Sequence, residues 1–93
     1  MASPNTYLFT IGIPAYNAEQ TITETIHSIL QQTDTGFFEV LIVNDGSSDA
    51  TESICQQFAK QYSNIRLINT ENQGPLLARR EIAKNALGEY IIF

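Results

Sequence analysis

The chain has 93 residues, of which 43% are hydrophobic and 16% are charged, and its formal net charge is -5. This length fits one small domain, and this composition is typical of a folded protein rather than a disordered one. The negative charge argues against a general nucleic-acid-binding protein, because phosphate contacts require clustered Lys and Arg. We therefore expect no nucleic-acid partner.

The single cysteine, Cys55, excludes an intrachain disulfide and favours a reducing compartment. The N-terminus has no basic region followed by an apolar run, and no segment approaches the roughly 20 apolar residues that span a bilayer. We therefore expect a cytoplasmic protein, whose full-length form could lie at the cytoplasmic face of a membrane. Residues 1–6 are expected to be a disordered lead-in to a domain over residues 7–93.

The first predicted strand covers Tyr7–Pro14, which is rich in β-favouring side chains. Asn17 is the predicted N-cap of a helix over Ala18–Gln32, and Gln20 completes a capping-box-like pair. A break at residues 34–36 ends this helix. Its apolar stripe consists of Ile22, Ile26, Ile29 and Leu30.

The second predicted strand covers Phe38–Val43, and its four consecutive apolar residues indicate burial on both faces. Asp49 and Glu52 predict the start of the next helix, since acidic residues suit the positive end of a helix dipole. The predicted apolar face of this second helix consists of Ile54, Cys55, Phe58, Ala59 and Tyr62.

The third predicted strand covers Ile65–Ile68 and is followed by a polar loop, Asn69–Gly74. A third helix is predicted over Pro75–Leu87, with proline at the first helical position and Gly88 as a left-handed C-cap. The fourth strand is predicted over Tyr90–Phe93. The residues of the third helix predicted to face inward are Leu77, Ile82, Ala83, Ala86 and Leu87.

The order β-α-β-α-β-α-β with short connections predicts right-handed crossovers and a parallel sheet, which is a Rossmann-like three-layer α/β fold. With the strand order 3-2-1-4, the loops that follow the strands lie at the carboxyl edge, where such folds bind ligands. Tyr16, Asp45 and the loop before Pro75 are therefore expected to converge.

The sequence ends at Phe93, inside the fourth predicted strand. We therefore expect the N-terminal part of a longer protein, with a domain truncated at its C-terminal end. The unpaired apolar edge strand, residues 89–93, predicts self-association.

The convergence of Tyr16 and Asp45 predicts recognition of a nucleobase. Neither Gly-x-Gly-x-x-Gly nor Gly-x-x-x-x-Gly-Lys occurs in the chain, which argues against a phosphate-binding loop. A carboxylate accepts a hydrogen bond from N3–H of uracil, whereas N3 of cytosine is itself an acceptor. Tyr16 offers a flat surface to such a base.

Four segments resemble the inverting family 2 glycosyltransferases: Ile13–Glu19, Val43–Asp49, Asn72–Gly74 leading to Ala78-Arg79, and Gly88–Ile91. The resemblance implies the nucleotide-sugar-binding half of a GT-A fold, in an enzyme that transfers a hexose-type sugar in polysaccharide biosynthesis. The donor would be a nucleotide sugar, most commonly a UDP-sugar, and the acceptor a hydroxyl of a glycan or glycolipid.

The same resemblance implies which residues bind the donor. It also implies a divalent cation, Mn or Mg, whose ligands lie beyond Phe93 together with the general base. No catalytic or metal-binding residue is therefore expected in this chain, which alone should be inactive. The implied donor-binding residues are Pro14, Tyr16 and Asp45 at the base with Ala15 between them, Glu19 near the ribose, and Gly74 and Arg79 at the base and diphosphate side.

Other interpretations of these residues stay open at this point. Asp45 could belong to a turn in which its side chain bonds to the backbone. Tyr16 could be a core or hinge residue, and Glu19 and Arg79 could lie on a solvated helix surface. A non-catalytic nucleotide- or sugar-binding module would keep Tyr16 and Asp45. A phospho-acceptor signalling domain would need further acidic residues after the first strand, and Pro14-Ala15-Tyr16 supplies none.

Overall fold

The computed structural model describes residues 7–32 and 37–93. The predicted lead-in, residues 1–6, and the predicted break at residues 34–36 lie outside the described residues. The elements are β1 (Phe9–Ala15), α1 (Ile22–Gln32), β2 (Phe38–Asp45), α2 (Thr51–Gln61), β3 (Ile65–Thr70), α3 (Pro75–Asn85) and β4 (Tyr90–Ile92).

All strand pairs are parallel, and the strand order is β3-β2-β1-β4, as predicted. β2 and β3 extend further than predicted, because Asn44 and Asp45 continue the pairing with Asn69 and Thr70. This extension makes Asp45 the last residue of β2, next to the end of β3.

The central strand β2 is buried along its whole length and separates two apolar clusters. Its residues Phe38, Val40 and Ile42 pack with α1 and α2. The alternate residues Leu41 and Val43 pack with α3. The sheet therefore has two helices on one face and one helix on the other.

The predicted apolar faces of α1 and α2 are confirmed. Ile22 and Ile26 of α1 and Cys55 and Phe58 of α2 are buried, and the other predicted members pack against the same cluster. Burial raises the pKa of the Cys55 thiol to about 11, consistent with its predicted position on the apolar face of the second helix. No helix in the described ranges has the length and apolarity needed to cross a membrane.

The predicted inward face of α3 is wrong at Leu77, which is 37% exposed, and at Ala83, which is also exposed. The buried residues are Ala78 and Ile82. Ile82 lies directly over Gly12 of β1, where a Cβ atom would come within 2.6 Å of Ile82 Cγ2. The missing side chain of Gly12 thus makes room for Ile82 and sets the rotation of α3.

The predicted left-handed C-cap at Gly88 is also wrong. Helix α3 ends at Asn85, and its C-cap is Ala86, which is extended with φ -64° and ψ 137°. Gly88 is required for a different reason, since a Cβ atom there would lie 2.5 Å from the backbone of Phe9 and Thr10. Its N–H donates to Thr10 Oγ1 at 2.9 Å, which holds the start of β4 against β1.

A buried carboxylate that the sequence reasoning did not single out, Glu39, joins the C-terminal end of α3 to the sheet. Glu39 is fully buried, and Arg66 Nε donates to its Oε1 at 2.8 Å. Its Oε2 accepts hydrogen bonds from the Thr10 hydroxyl and the Leu87 N–H, both at 2.7 Å. Arg66 also donates to the carbonyl oxygen of Asn85 at 2.6 Å.

Burial alone would raise the pKa of Glu39, but the hydrogen bonds from Arg66, Leu87 and Thr10 outweigh it and hold the pKa below its ordinary value of 4.5. Because the folded pKa lies below the unfolded one, Glu39 stabilises the fold above about pH 4.5. This contribution is lost as the pH falls through the folded pKa.

Glu39→Gln should lower the free energy of unfolding by roughly 2–4 kcal/mol at neutral pH, since it leaves Arg66 and buried donors without a carboxylate. It should also flatten the loss of stability on acidification. Urea denaturation followed by circular dichroism from pH 7 to pH 3 measures both effects. The matched control is Glu52→Gln on the exposed side of α2; an equal loss in both variants would contradict the assignment.

Candidate functional site

A cavity of about 420 Å³ opens at the carboxyl edge of the sheet, between the ends of β1 and β2 and the start of α3. This volume falls within the range of small-molecule sites. The cavity is therefore a candidate binding site. It is lined by Pro14, Ala15, Tyr16, Asp45, Asn72, Gly74, Pro75 and Ala78.

Asp45 anchors the loop between β3 and α3. Asp45 as a residue is 4% exposed, and its Oδ1 accepts from the Gln73 N–H at 2.9 Å and from the Thr70 hydroxyl at 3.0 Å. Its Oδ2 accepts from the N–H of Gly74, the N-cap of α3, at 2.8 Å. The bond from Gln73 is the largest cause that holds the pKa of Asp45 below its ordinary value of 3.8.

The carboxylate of Asp45 retains acceptor capacity toward a ligand. A carboxylate offers about four lone-pair sites, and three are used here, two on Oδ1 and one on Oδ2. Asp45 also lines the cavity. It therefore combines the loop-forming role considered as an alternative with a position suited to the predicted base contact.

Tyr16 lines the same cavity and lies directly after β1. Its side chain is 52% exposed, whereas Ala15 before it is buried at 4%. An aromatic side chain that is half-exposed beside a cavity can pack against a flat ligand.

The chain after Tyr16 is held by side-chain oxygens from the β2–α2 segment. Three successive backbone N–H groups in the segment between β1 and α1 donate to these oxygens. The bonds are Asn17 N–H to Ser47 Oγ at 2.9 Å, Ala18 N–H to Thr51 Oγ1 at 2.8 Å, and Glu19 N–H to Asp49 Oδ2 at 3.3 Å.

Asn17 completes this network in the opposite direction. Its Oδ1 accepts from the Ser48 N–H at 2.8 Å, and its backbone has a left-handed φ of 48°. The prediction that Asn17 is the N-cap of a helix from Ala18 is therefore wrong, because its side chain bonds to the β2–α2 segment and α1 begins at Ile22. We call Asn17, Ser47, Ser48, Asp49 and Thr51 the loop latch.

Asp49 marks the start of α2 as predicted, although it lies one residue before the N-cap. The N-cap is Ala50, which has no side-chain capping bond. Asp49 Oδ1 instead accepts from the N–H of Thr51 at 2.9 Å and from its hydroxyl. The bond from the Thr51 hydroxyl is the largest cause that holds the pKa of Asp49 below its ordinary value.

Two predicted site residues do not line the cavity. The side chain of Glu19 is exposed, and its backbone belongs to the contacts with the latch. Arg79 is exposed on α3, and its guanidinium carbon lies 5.8 Å from the centre of the Phe93 ring. The structure thus brings together Pro14, Ala15, Tyr16, Asp45 and Gly74, but not Glu19 or Arg79.

Three residues that line the cavity were not among the predicted site residues: Asn72, Pro75 and Ala78. Asn72 lies in the polar loop whose convergence was predicted, so its position was available from the fold. Pro75 and Ala78 are three residues apart in α3 and therefore share a face. The sequence pattern of α3 did not indicate Ala78, because larger apolar residues stand near it in the sequence.

Within residues 7–32 and 37–93, no three His, Cys, Asp or Glu side chains come together in a group that could hold a metal ion. Asp45 therefore belongs to no such group among the described residues.

The sequence model of the family described as Glycosyl transferase family 2 matches residues 10–93. The chain therefore belongs to glycosyl transferase family 2. This finding confirms the family that the four sequence segments indicated.

Glycosyltransferase GlyA of Streptococcus pneumoniae serotype 4 is 37% identical over 84 residues, which are 90% of this chain and 12% of that protein. The minor teichoic acid biosynthesis protein GgaB of Bacillus subtilis strain 168 is 41% identical over 90 residues, which are 94% of this chain and 10% of that protein. The chain thus spans a small fraction of the length of these relatives.

Solved structures of similar fold include residues 1–349 of S. aureus TarS in complex with UDP-GlcNAc, with a TM-score of 0.81 and 32% identity. The match covers 91% of this chain and 25% of that one. The mannosyltransferase PcManGT of Pyrobaculum calidifontis, in complex with GDP-Man and Mn²⁺, has a TM-score of 0.78, 26% identity, and coverage of 91% and 26%. These neighbours confirm the Rossmann-like N-terminal half of a GT-A fold.

Proposed function

We propose that residues 7–93 form the nucleotide-sugar-binding half of a glycosyltransferase that uses a UDP-sugar. The enzyme transfers the sugar, of the hexose type, to a hydroxyl of a glycan or glycolipid acceptor in polysaccharide biosynthesis. The observation that carries this proposal is the cavity between Tyr16 and Asp45 at the carboxyl edge of the sheet. The similarity to TarS, which was solved with UDP-GlcNAc, and to GgaB, a teichoic acid biosynthesis protein, supports it.

The base preference follows from the charge and remaining acceptor capacity of Asp45. Its pKa is lowered, so the carboxylate is ionised at neutral pH and can only accept hydrogen bonds. The free lone pair on Oδ2 suits N3–H of uracil, while N3 of cytosine would meet it as a second acceptor. Tyr16 packs against the base, and Pro14, Ala15 and Gly74 shape the pocket.

The segment between β1 and α1 argues for the orientation of the donor. Successive backbone N–H groups can bind a phosphate when they are free, but the N–H groups of Asn17, Ala18 and Glu19 already donate to latch oxygens. The Asp49 carboxylate would also repel a phosphate there. We therefore place the diphosphate away from this segment, with Glu19 near the ribose and Arg79 toward the diphosphate, although neither side chain lines the cavity.

Sugar transfer requires two things beyond donor binding. A base must deprotonate the acceptor hydroxyl as it attacks the anomeric carbon, and the charge on the departing diphosphate must be stabilised. We assign neither role to Asp45, because it is buried and holds the β3–α3 loop. A divalent cation, Mn²⁺ or Mg²⁺, would supply the charge stabilisation in the whole enzyme, and we assign it no ligand among the described residues.

We further propose that the enzyme works in the cytoplasm, at the membrane face where its acceptor requires it. The free thiol of Cys55 is consistent with a reducing compartment. Fractionation of cells that produce the whole protein would contradict this placement if the protein were found outside the cytoplasm and its membrane face.

UDP should bind this chain at least tenfold more tightly than CDP, because CDP lacks the N3–H donor. A UDP analogue methylated at N3 should lose the same tenfold, which is about 1.4 kcal/mol. Isothermal titration gives each affinity, and Asp45→Asn should remove the preference for UDP over CDP. Leu76→Lys, on the exposed side of α3, is the control. Equal affinities for UDP and its N3-methyl analogue would contradict base recognition by Asp45.

This chain should bind the donor without turning it over, because Asp45, the carboxylate residue that lines the cavity, is assigned to the β3–α3 loop and the base rather than to the acceptor hydroxyl. A coupled assay for UDP release from UDP-GlcNAc with Mn²⁺ measures this directly. UDP release above the rate of the Asp45→Asn and Tyr16→Ala variants would show that the chain is catalytic and would overturn this part of the proposal.

The edge strand β4 should allow self-association of this chain. Within the described residues it pairs with β1 on one side, and Tyr90 and Ile92 are 60% and 49% exposed. Open apolar edges favour pairing between copies. Sedimentation over a concentration series should show a dimer that Ile92→Lys weakens and Leu76→Lys does not. A clean monomer at the highest concentration would contradict it.

A further inference from the structure

The loop latch, defined above, connects two strand-end loops that are about thirty residues apart in the chain. We infer that the latch positions Tyr16 for the donor base, so that its members act as positioning residues in nucleotide binding. This inference rests on the proposed function, since the ligand considered is the donor's base.

Tyr16 is fixed on both sides along the backbone. Before it, Ala15 is paired in β1 with Asn44 of β2 and is 4% exposed. After it, the N–H groups of the next three residues each donate to a latch oxygen. The Tyr16 side chain is half-exposed, so the backbone on its two sides determines where the ring stands.

The left-handed backbone of Asn17 determines the direction of the chain immediately after Tyr16. A non-glycine residue with φ of 48° is strained unless its surroundings hold it, and asparagine tolerates this region better than most residues. The bonds of Asn17 to Ser47 and Ser48 supply that support in both directions, from its N–H and to its Oδ1.

Thr51 connects the latch to the core. It is fully buried at the start of α2, its hydroxyl donates to Asp49 Oδ1, and it accepts from the Ala18 N–H at 2.8 Å. The Thr51 hydroxyl thus connects α2 to Asp49 and to the chain after Tyr16 through hydrogen bonds. Thr51→Val would keep the apolar packing at this position, but it would leave the Ala18 N–H without its acceptor.

A double-mutant cycle tests whether the latch acts through Tyr16. Thr51→Val should weaken UDP binding about tenfold in the native background and less than twofold in the Tyr16→Leu background, because the effects of contacting or coupled residues are not additive. Thr51→Ser, which keeps the hydroxyl, should restore native affinity. Thr25→Val, at an exposed position of α1, is the matched control. Equal losses in both backgrounds would overturn the inference, since a purely structural effect does not depend on Tyr16.

A second pair of variants separates the backbone of Asn17 from its side chain. Asn17→Asp keeps an acceptor for the Ser48 N–H and should bind UDP within about twofold of the native chain. Asn17→Gly permits the left-handed backbone but removes the acceptor, and it should weaken binding about tenfold if the side chain is required. Equal affinities for the two variants would remove Asn17 from the latch's positioning role.

A measurement without ligand distinguishes failure of this inference from failure of the proposed function. In protein labelled with 3-fluorotyrosine, the Tyr16 resonance is assigned with Tyr16→Phe and should shift in Thr51→Val but not in Thr51→Ser or Thr25→Val. If the shift occurs but the native chain binds no UDP, the latch positions Tyr16 and the proposed donor is wrong. An unchanged Tyr16 resonance in Thr51→Val overturns the inference whatever binds.

Discussion

Two carboxylates on the central strand hold both ends of α3, and the rest of the described structure depends on this arrangement. Alternate residues of β2 lie on the face of the sheet that α3 covers. Glu39 is the first and Asp45 the last of this series, and Leu41 and Val43 between them pack against the helix. Glu39 accepts from the Leu87 N–H just after α3, and Asp45 accepts from the Gly74 N–H at its N-cap. Glu39 and Asp45 are six positions apart, which corresponds to about 20 Å of strand, and the eleven residues of α3 span about 16 Å, so the two elements are similar in length.

The hydrogen bonds at the two ends of α3 therefore have different consequences. At the amino edge of the sheet, Glu39 and Arg66 join the end of the helix to β1 and β3 through Thr10 and Asn85. At the carboxyl edge, Asp45 holds the loop that supplies one wall of the cavity. A change that disturbed Asp45 would thus act on both the fold of the loop and the lining of the cavity, since one carboxylate contributes to both.

Sequence reasoning predicted the strand order, the parallel sheet and the convergence of Tyr16, Asp45 and the loop before Pro75, because these follow from hydrophobic periodicity and crossover handedness. It failed where a side chain or backbone group bonds to a distant partner. Asn17 resembles an N-cap locally, but its partner is Ser48. Gly88 resembles a C-cap, but its missing side chain serves the backbone of β1.

Glu39 shows the same limit in the core. A glutamate before four apolar residues resembles the polar start of a strand, and its partner Arg66 lies on the neighbouring strand β3, close to the helix end that both residues hold. Local propensity contains no information about such a pair. The rotation of α3 was also not predictable from its own sequence, because the space left by Gly12 on β1 selects Ile82 and Ala78 over Leu77 and Ala83.

The internal acceptors in the segment between β1 and α1 distinguish this sheet from a Rossmann-like fold with a glycine-rich phosphate loop. In a dinucleotide-binding fold, the loop and helix after the first strand present free N–H groups to a pyrophosphate. Here Ser47, Asp49 and Thr51 accept from three N–H groups of the segment that follows β1, which stabilises this segment without a ligand. The same edge of the sheet presents Tyr16 and an anionic Asp45, a pair that suits an uncharged base better than a phosphate. Base recognition of the kind proposed would thus require no change of fold, because the three backbone donors are satisfied by oxygens of the chain itself.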